Sequence, residues 1–164
     1  MRVHDPKYKV MGRERLCTLI SEKYAEVKIE MDKLLKGTLG AVTTDGWTSA
    51  SGDAYYGFTY HWIDDEWVLH SLPIGITHHK GTTTATDHAN GLEAELAKHG
   101  LTWNNVLAVV TDTEPTMNSS GLLFIERAAL AGNVHLDHIG CVDHILNIIT
   151  KKVALDPPAV VGPT

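Results

Sequence analysis

The sequence is short of cysteine and of positive charge, and each shortage argues against a class of protein. Only Cys17 and Cys141 are cysteines among 164 residues, which is too few for a disulfide scaffold and fits a reducing compartment such as cytosol or nucleus. Lysine and arginine number 14 against 20 aspartates and glutamates, so the net charge is −6 at pH 7. Because a module that grips DNA through phosphates alone is usually basic, we do not expect a strong stand-alone DNA-binding domain.

Long apolar runs are also missing. No uninterrupted apolar stretch approaches the roughly 20 residues that span a bilayer, so no membrane association is predicted. The first residues, Met1 to Lys7, lack the apolar segment of a secretory signal. The chain does contain 43% hydrophobic residues, which suffices for the core of one domain, alone or with a fragment of another.

Apolar spacing in the first half of the chain predicts a helix followed by strands. Residues 1–12 show no periodicity and are predicted to form a tail, whereas apolar residues three or four apart predict an N-terminal packing helix over residues 13–36. A first strand is predicted at Thr38–Thr44, with a turn at Asp45-Gly46. The next two, Ala54–Ile63 and Glu66–Ile76, read as a hairpin joined at Asp64-Asp65, with Pro73 at an edge or near a strand end.

The second half reads as helices alternating with strands. A helix capped by Thr84 or Thr86 precedes Val106–Thr111, a continuously apolar run that is typical of a strand buried on both faces. A strand that follows a helix in this way is predicted to be parallel to an earlier one. Two more helices, Pro115–Leu130 and Asp143–Leu155, with a short strand within residues 133–140, complete a predicted mixed α/β sheet with flanking helices.

The strand at Ala54–Ile63 carries an alternating aromatic stripe. One face bears four large rings, those of Tyr56, Phe58, Tyr60 and Trp62. Such a stripe is found on surfaces that stack nucleic-acid bases, and also on sheet faces covered by helices. The covered face is the favoured interpretation.

Two predicted strands lead directly into an aspartate, Asp45 in one case and Asp112 in the other. If these strands are neighbours, both carboxylates meet at one edge of the sheet. Two anions held close together are costly unless a cation lies between them, and Mg²⁺ accepts carboxylate oxygens while keeping waters that a phosphate can displace. The alternative is that both are ordinary turn residues, because aspartate is common after strands.

Two further pairs of potential metal ligands stand close in sequence. Cys141 and His144 have the spacing of half a zinc site, with His135, His138 and Cys17 as candidate partners. The alternative is a helix start with Cys141 buried and Asp143 in the first turn, where the helix dipole favours an acid. His78 and His79 are adjacent and are therefore expected to point apart.

The sequences of these motifs resemble those of the hAT superfamily of DNA transposases. The resemblance rests on Thr44-Asp45-Gly46-Trp47-Thr48-Ser49, the aromatic strand, Trp67-x-Leu69-x-Ser71, Val109-Val110-Thr111-Asp112 and Cys141-x-x-His144-x-Leu146-Asn147, and extends over about residues 13–155. It implies a ribonuclease H-like fold interrupted by a helical insertion. Residues 37–140 would be the partial core, and residues 141–164 the start of the insertion and a tail.

The resemblance also implies a site and a chemistry. Asp45 would be the first catalytic carboxylate and Asp112 the second, binding Mg²⁺ or Mn²⁺ for the cleavage and joining of DNA strands. Trp47, Cys141 and His144 would contact DNA or support the fold. Members of the family are nuclear in eukaryotes, often carry a BED zinc finger ahead of the core, and self-associate through a C-terminal segment.

The sequence departs from the family pattern after the second aspartate, where Thr113-Glu114-Pro115-Thr116-Met117-Asn118 stands in place of Asn-Ala-x-Asn-Met. Glu114 is not the third carboxylate of the family, a glutamate expected beyond Thr164 together with the dimerisation segment. The first interpretation is therefore a partial transposase core, inactive as it stands. The others are a host-adopted or decayed relative that binds or regulates without catalysis, and a small free-standing nuclease that takes its third carboxylate from Asp53, Asp87 or Asp137.

Overall fold

The computed structural model describes residues 11–81 and 83–155, and the side chains in these ranges except those of residues 153–155. The predicted N-terminal tail lies outside the described residues apart from Met11 and Gly12, and so does the predicted tail after Leu155. The chain forms two compact units that divide after Leu35. No helix in the described ranges is long and apolar enough to cross a membrane.

The first unit contains the predicted N-terminal helix, α1, at Arg13–Leu35. Ion pairs between residues three apart, such as Lys23 with Glu26 at 2.9 Å, run along it, and such exposed pairs add little stability. Leu16 and Ile20, which belong to the stripe that predicts packing, are 48% and 59% exposed.

The second unit contains a five-stranded mixed sheet in the order β3-β2-β1-β4-β5. The first three strands pair antiparallel, while β4 pairs parallel with β1 and β5 parallel with β4. The strands are β1 Gly40–Thr48, β2 Ala54–Ile63, β3 Leu69–His79, β4 Val106–Thr111 and β5 Asp137–Gly140. This arrangement confirms the predicted mixed sheet and its ribonuclease H-like strand order.

Three helices accompany the sheet: α2 at Ala85–Lys98, α3 at Pro115–Leu130 and α4 at Val142–Leu155. Thr84 caps α2 through a reciprocal pair of hydrogen bonds with Asp87, as its sequence position predicts. Pro115 occupies the first turn of α3, where its missing N–H costs nothing. A short 3₁₀ turn at Trp103–Asn105 leads into β4.

The aromatic stripe of β2 forms the core of the second unit. Tyr56, Phe58, Tyr60 and Trp62 are all at most 7% exposed. His88 of α2 stacks on Tyr56 and Phe58 with ring centroids 4.2 and 5.6 Å apart. The covered-face interpretation of the stripe is therefore confirmed, and this face is covered by helices of the chain itself.

The predicted end of β1 is wrong. The strand runs on to Thr48, and Asp45 and Gly46 form no turn but pair with Gly57 and Tyr56 of β2. A Cβ at Gly46 would lie 2.9 Å from the Tyr56 ring and 3.0 Å from the methyl carbon of Met117. Glycine is therefore required here by close packing inside a strand and not by a turn. The backbone stays extended because β2 pairs with β1 as far as Thr48.

The predicted start of β3 is also wrong. The strand begins at Leu69 rather than Glu66 and continues through His79, so the turn spans Asp64 to Val68. The Asp64 carboxylate accepts the backbone N–H groups of Glu66 and Val68, which holds the longer turn. Pro73 does lie on an edge strand, next to an irregularity in the β2–β3 pairing, as predicted.

Candidate metal centre

Parallel pairing of β1 with β4 brings the two predicted carboxylates to one place. The pairs Val42–Val109 and Thr43–Val110 fix the register, and two further residues along each strand lead to Asp45 and Asp112. Both aspartates line a cleft of about 510 Å³ on the sheet. Asp45 reaches it from within β1, and Asp112 from just past the end of β4.

Each carboxylate is oriented by a nearby backbone amide. One oxygen of Asp45 accepts the N–H of Gly46 at 2.9 Å, and one oxygen of Asp112 accepts the N–H of Glu114 at 3.1 Å. Asp45 is exposed and Asp112 is half-buried. Because an ionised carboxylate has about four acceptor positions, both groups retain oxygen lone pairs for a ligand in the cleft.

The start of α4 forms another wall of the cleft. The backbone N–H of Cys141 donates to the carbonyl of Thr111 at 2.6 Å, which ties this segment to the end of β4. Cys141 and His144 both line the cleft, together with Asp143 and Asn147, and no lysine or arginine is among its lining residues. The cleft is therefore acidic, with three carboxylates and a half-buried free thiol.

Sequence reasoning missed Asp143 and Asn147 as members of the site. Its sequence position predicts only a first-turn acid of a helix for Asp143, although it lies four residues before Asn147 and next to His144. Residues three and four apart share one face of a helix, so this spacing was the available signal.

The acids proposed as a third carboxylate for a free-standing nuclease do not line the cleft. Asp53 lies in the loop before β2, with His78 at 3.5 Å. Asp87 belongs to the cap of α2, and Asp137 is the exposed first residue of β5.

The described part of the chain contains no group of three or more histidine, cysteine, aspartate or glutamate side chains placed to hold one metal ion. Cys141 and His144 therefore have no third zinc ligand within these residues. His138, one candidate partner, instead hydrogen-bonds Thr111. His78 and His79 do point apart, since they lie against Tyr55 and Tyr56 respectively.

Trp47 lies beside the acidic cleft rather than in it. Its indole stacks on Tyr55 with centroids 5.5 Å apart and an interplanar angle of 12°, and Tyr55 stacks on His78 at 4.9 Å. Gly57 makes room for the indole, because a Cβ there would lie 3.3 Å from it. Trp47 is 46% exposed and shares its side of β1 with Asp45, two residues away.

Comparisons with known proteins show which family the chain resembles in sequence. The profile of the ZBED1 RNase-like domain matches residues 43–136, which include both aspartates. Two Zea mays proteins, described as the AC and AC9 transposases, are each 26% identical over 163 residues, covering 89% of this chain and 19% and 18% of their own lengths. A Talaromyces stipitatus protein, described as the transcriptional regulator tpeD, is 23% identical over 144 residues, covering 86% of this chain and 16% of its own length.

The chain thus spans about a fifth of the length of the curated relatives it matches. The matched profile covers more than half of the chain and the sheet order is that of a ribonuclease H-like core. The chain therefore belongs to the ZBED1 RNase-like domain family and is a hAT-type, transposase-related region.

Proposed function

We propose that this chain contributes two carboxylates, Asp45 and Asp112, to the catalytic core of a DNA transposase, where together they bind Mg²⁺ or Mn²⁺. The observation that carries the proposal is the parallel register of β1 and β4, which leads both aspartates into one acidic cleft. The likeness to the maize transposases supports DNA as the substrate.

The negative charge of the cleft supports the proposal that DNA binds there only together with a cation. Three carboxylates and no lysine or arginine would repel a phosphate group, whereas a bound divalent ion would offset most of that negative charge and give the phosphate a cation to contact. A bound ion would supply Lewis-acid stabilisation for a phosphodiester displacement, with water as nucleophile in cleavage and a DNA 3′-hydroxyl in joining. Asp45 and Asp112 would hold the ion through their free oxygens.

The neighbouring side chains fit contact with DNA or support of the fold. Trp47 offers an exposed indole face on the same side of β1 as Asp45, and aromatic rings of this kind stack on unpaired bases. The same ring also packs over Gly57 and so supports the fold. Cys141 and His144 line the cleft wall, so a DNA end bound in the cleft would lie beside their side chains.

The activity belongs to the complete protein, because the relatives are about five times longer than this chain. A nuclear location and self-association of the complete protein form part of the same proposal. The transposase and transcriptional-regulator relatives support the nuclear location. The self-association is implied by the resemblance to the hAT superfamily.

Titration with Mn²⁺ tests the metal proposal on the chain itself. We expect Asp45→Ala and Asp112→Ala each to weaken Mn²⁺ binding by more than about tenfold, or roughly 1.4 kcal/mol, because each removes a ligand oxygen. Isothermal calorimetry at neutral pH measures the affinity of each variant.

Asp65→Ala is the matched control, since it removes the same charge from an exposed position in the β2–β3 turn, outside the cleft. It should bind Mn²⁺ as the unmodified chain does. Equal affinities for the unmodified chain and Asp45→Ala would contradict the assignment.

A second candidate function is regulation through DNA or partner binding without catalysis. It is favoured by the relative described as a transcriptional regulator and by the lack, among the described residues, of a three-ligand metal group. In that case the function depends on the fold and its surfaces and does not require metal binding by the two carboxylates. The unmodified chain would then show no Mn²⁺ binding in the same titration.

A further inference from the structure

Each aspartate of the cleft is preceded by a threonine that also borders the cleft but whose hydroxyl is bonded on the opposite, covered side of the sheet. Thr44 comes before Asp45 and is 5% exposed, while Thr111 comes before Asp112 and is fully buried. Each hydroxyl lies 2.8 Å from the Nε2 atom of a histidine that belongs to another element. The two strands that carry the carboxylates thus share one arrangement of threonine, histidine and aspartate.

The histidine behind Thr44 is His88 of α2, whose side chain is fully buried. Its ring is packed against Tyr56 and Phe58 and meets Phe124 of α3 edge-on at 5.2 Å. Its Nδ1 atom has no hydrogen-bond partner among the residues that the structure describes, so within them the bond to Thr44 is the polar contact that fixes the ring. Because a buried polar group without a partner is costly, this bond holds α2 to β1 at the residue next to Asp45.

The histidine behind Thr111 is His138 of β5. The Thr111 hydroxyl lies 2.8 Å from the backbone carbonyl of Asp112 as well as from Nε2 of His138. A carbonyl can only accept, so the hydroxyl donates to Asp112 and the Nε2–H of His138 donates to the hydroxyl. The ring is held from behind by α3, since a Cβ at Gly121 would collide with it.

We infer that Thr44 and Thr111, each with its histidine, are positioning residues for the metal-binding carboxylates; this inference rests on the proposed metal function. Successive side chains of a strand point to opposite faces, so a threonine fixed on the covered side aims the following aspartate into the cleft. The pairing of β1 with β4 ends at Thr43 and Val110, and Asp45 is held on its other side by pairing with Gly57 of β2. The two threonine–histidine bonds add side-chain anchors at the residues just before the carboxylates.

Substitution by valine and by serine separates positioning from packing. Valine keeps the shape of threonine and removes the hydroxyl, whereas serine keeps the hydroxyl and removes a buried methyl group. We expect Thr44→Val and Thr111→Val each to weaken Mn²⁺ binding by about tenfold, in the range seen when groups that orient metal ligands are removed. Thr44→Ser and Thr111→Ser should retain the affinity of the unmodified chain while unfolding at a lower urea concentration.

Ser120→Ala is the control for loss of a buried hydroxyl, because Ser120 is fully buried on α3 and its hydroxyl donates to the Thr116 carbonyl of the same helix. Its Mn²⁺ affinity should be unchanged. Unchanged affinity in both valine variants, alongside a loss in Asp45→Ala, would overturn the positioning role and leave the metal site standing. Equal losses in the serine and valine variants would also overturn it, since they would trace to packing. A chain that binds no Mn²⁺, or whose Asp45→Ala variant binds it normally, would overturn the proposed function and the inference with it.

Discussion

Acidification from pH 7 to pH 4 is expected to lower the free energy of unfolding by about 3 kcal/mol through His88. Burial lowers the pKa of its ring from 6.5 to about 4, with a smaller contribution from the neighbouring charge of His79. As the pH falls, the His88 ring is therefore protonated near pH 6.5 in the unfolded chain but only near pH 4 in the folded chain. The stabilisation is complete above pH 6.5 and is lost as the pH falls through this window, at about 1.4 kcal/mol per pH unit.

Urea unfolding at pH 7.5, 6, 5 and 4 measures the effect. His88→Gln, which keeps an amide for the bond to Thr44, should be less stable at pH 7.5 and much less sensitive to acid. Burial also lowers the pKa of His61 and His138, so a weaker slope in the same direction should remain. His135→Gln, at an exposed position, should keep the full slope. An unaltered slope in His88→Gln would show that the acid sensitivity has another origin.

Replacing Gly121 with alanine is expected to destabilise the fold by roughly 1–3 kcal/mol, the usual range for an overpacked core. Helix propensity alone predicts the reverse, a gain of about 1 kcal/mol, because glycine is a poor residue within a helix. Gly121 is buried in α3, and the added methyl group would meet the His138 ring, which cannot withdraw without breaking its bond to Thr111.

Denaturant unfolding of a double-mutant cycle tests this explanation. His138→Ala removes the obstructing ring, so Gly121→Ala should cost much less in that background. Ser119→Ala on the exposed side of the same helix should be close to neutral. If Gly121→Ala is stabilising, or is equally harmful with and without His138, the close approach of helix and ring is not what requires glycine there.

Much of the fold could be predicted because its signals are local. Alternation in β2, the continuous apolar run of β4 and the proline at the start of α3 gave those elements to within a residue or two. The errors arose where a partner decides the conformation. Asp45-Gly46 has the composition of a turn, yet pairing with β2 keeps it extended, and Trp67 adopts a positive φ of 63° in a turn that Asp64 organises.

The candidate site likewise contains residues that could be predicted from the sequence and residues that could not. Asp45 and Asp112 could be predicted as neighbours because the apolar runs that lead into them and the crossover helix between those runs are visible in the sequence. Asp143 and Asn147 required knowing that α4 begins beside the end of β4. The bonds of Thr44 to His88 and of Thr111 to His138 join residues 44 and 27 positions apart, and no spacing rule connects a strand threonine to a distant histidine.

Crystals of the chain soaked in Mn²⁺ and measured at the manganese absorption edge show whether Asp45 and Asp112 share one bound ion. We expect an anomalous peak between the two side chains, about 2.0–2.6 Å from an oxygen of each carboxylate, the range of hard divalent ions bound by oxygen. The peak should vanish in crystals of Asp45→Ala. A peak at Cys141 and His144 without Asp45, or no peak in the cleft at a Mn²⁺ concentration that saturates binding in solution, would contradict the shared site.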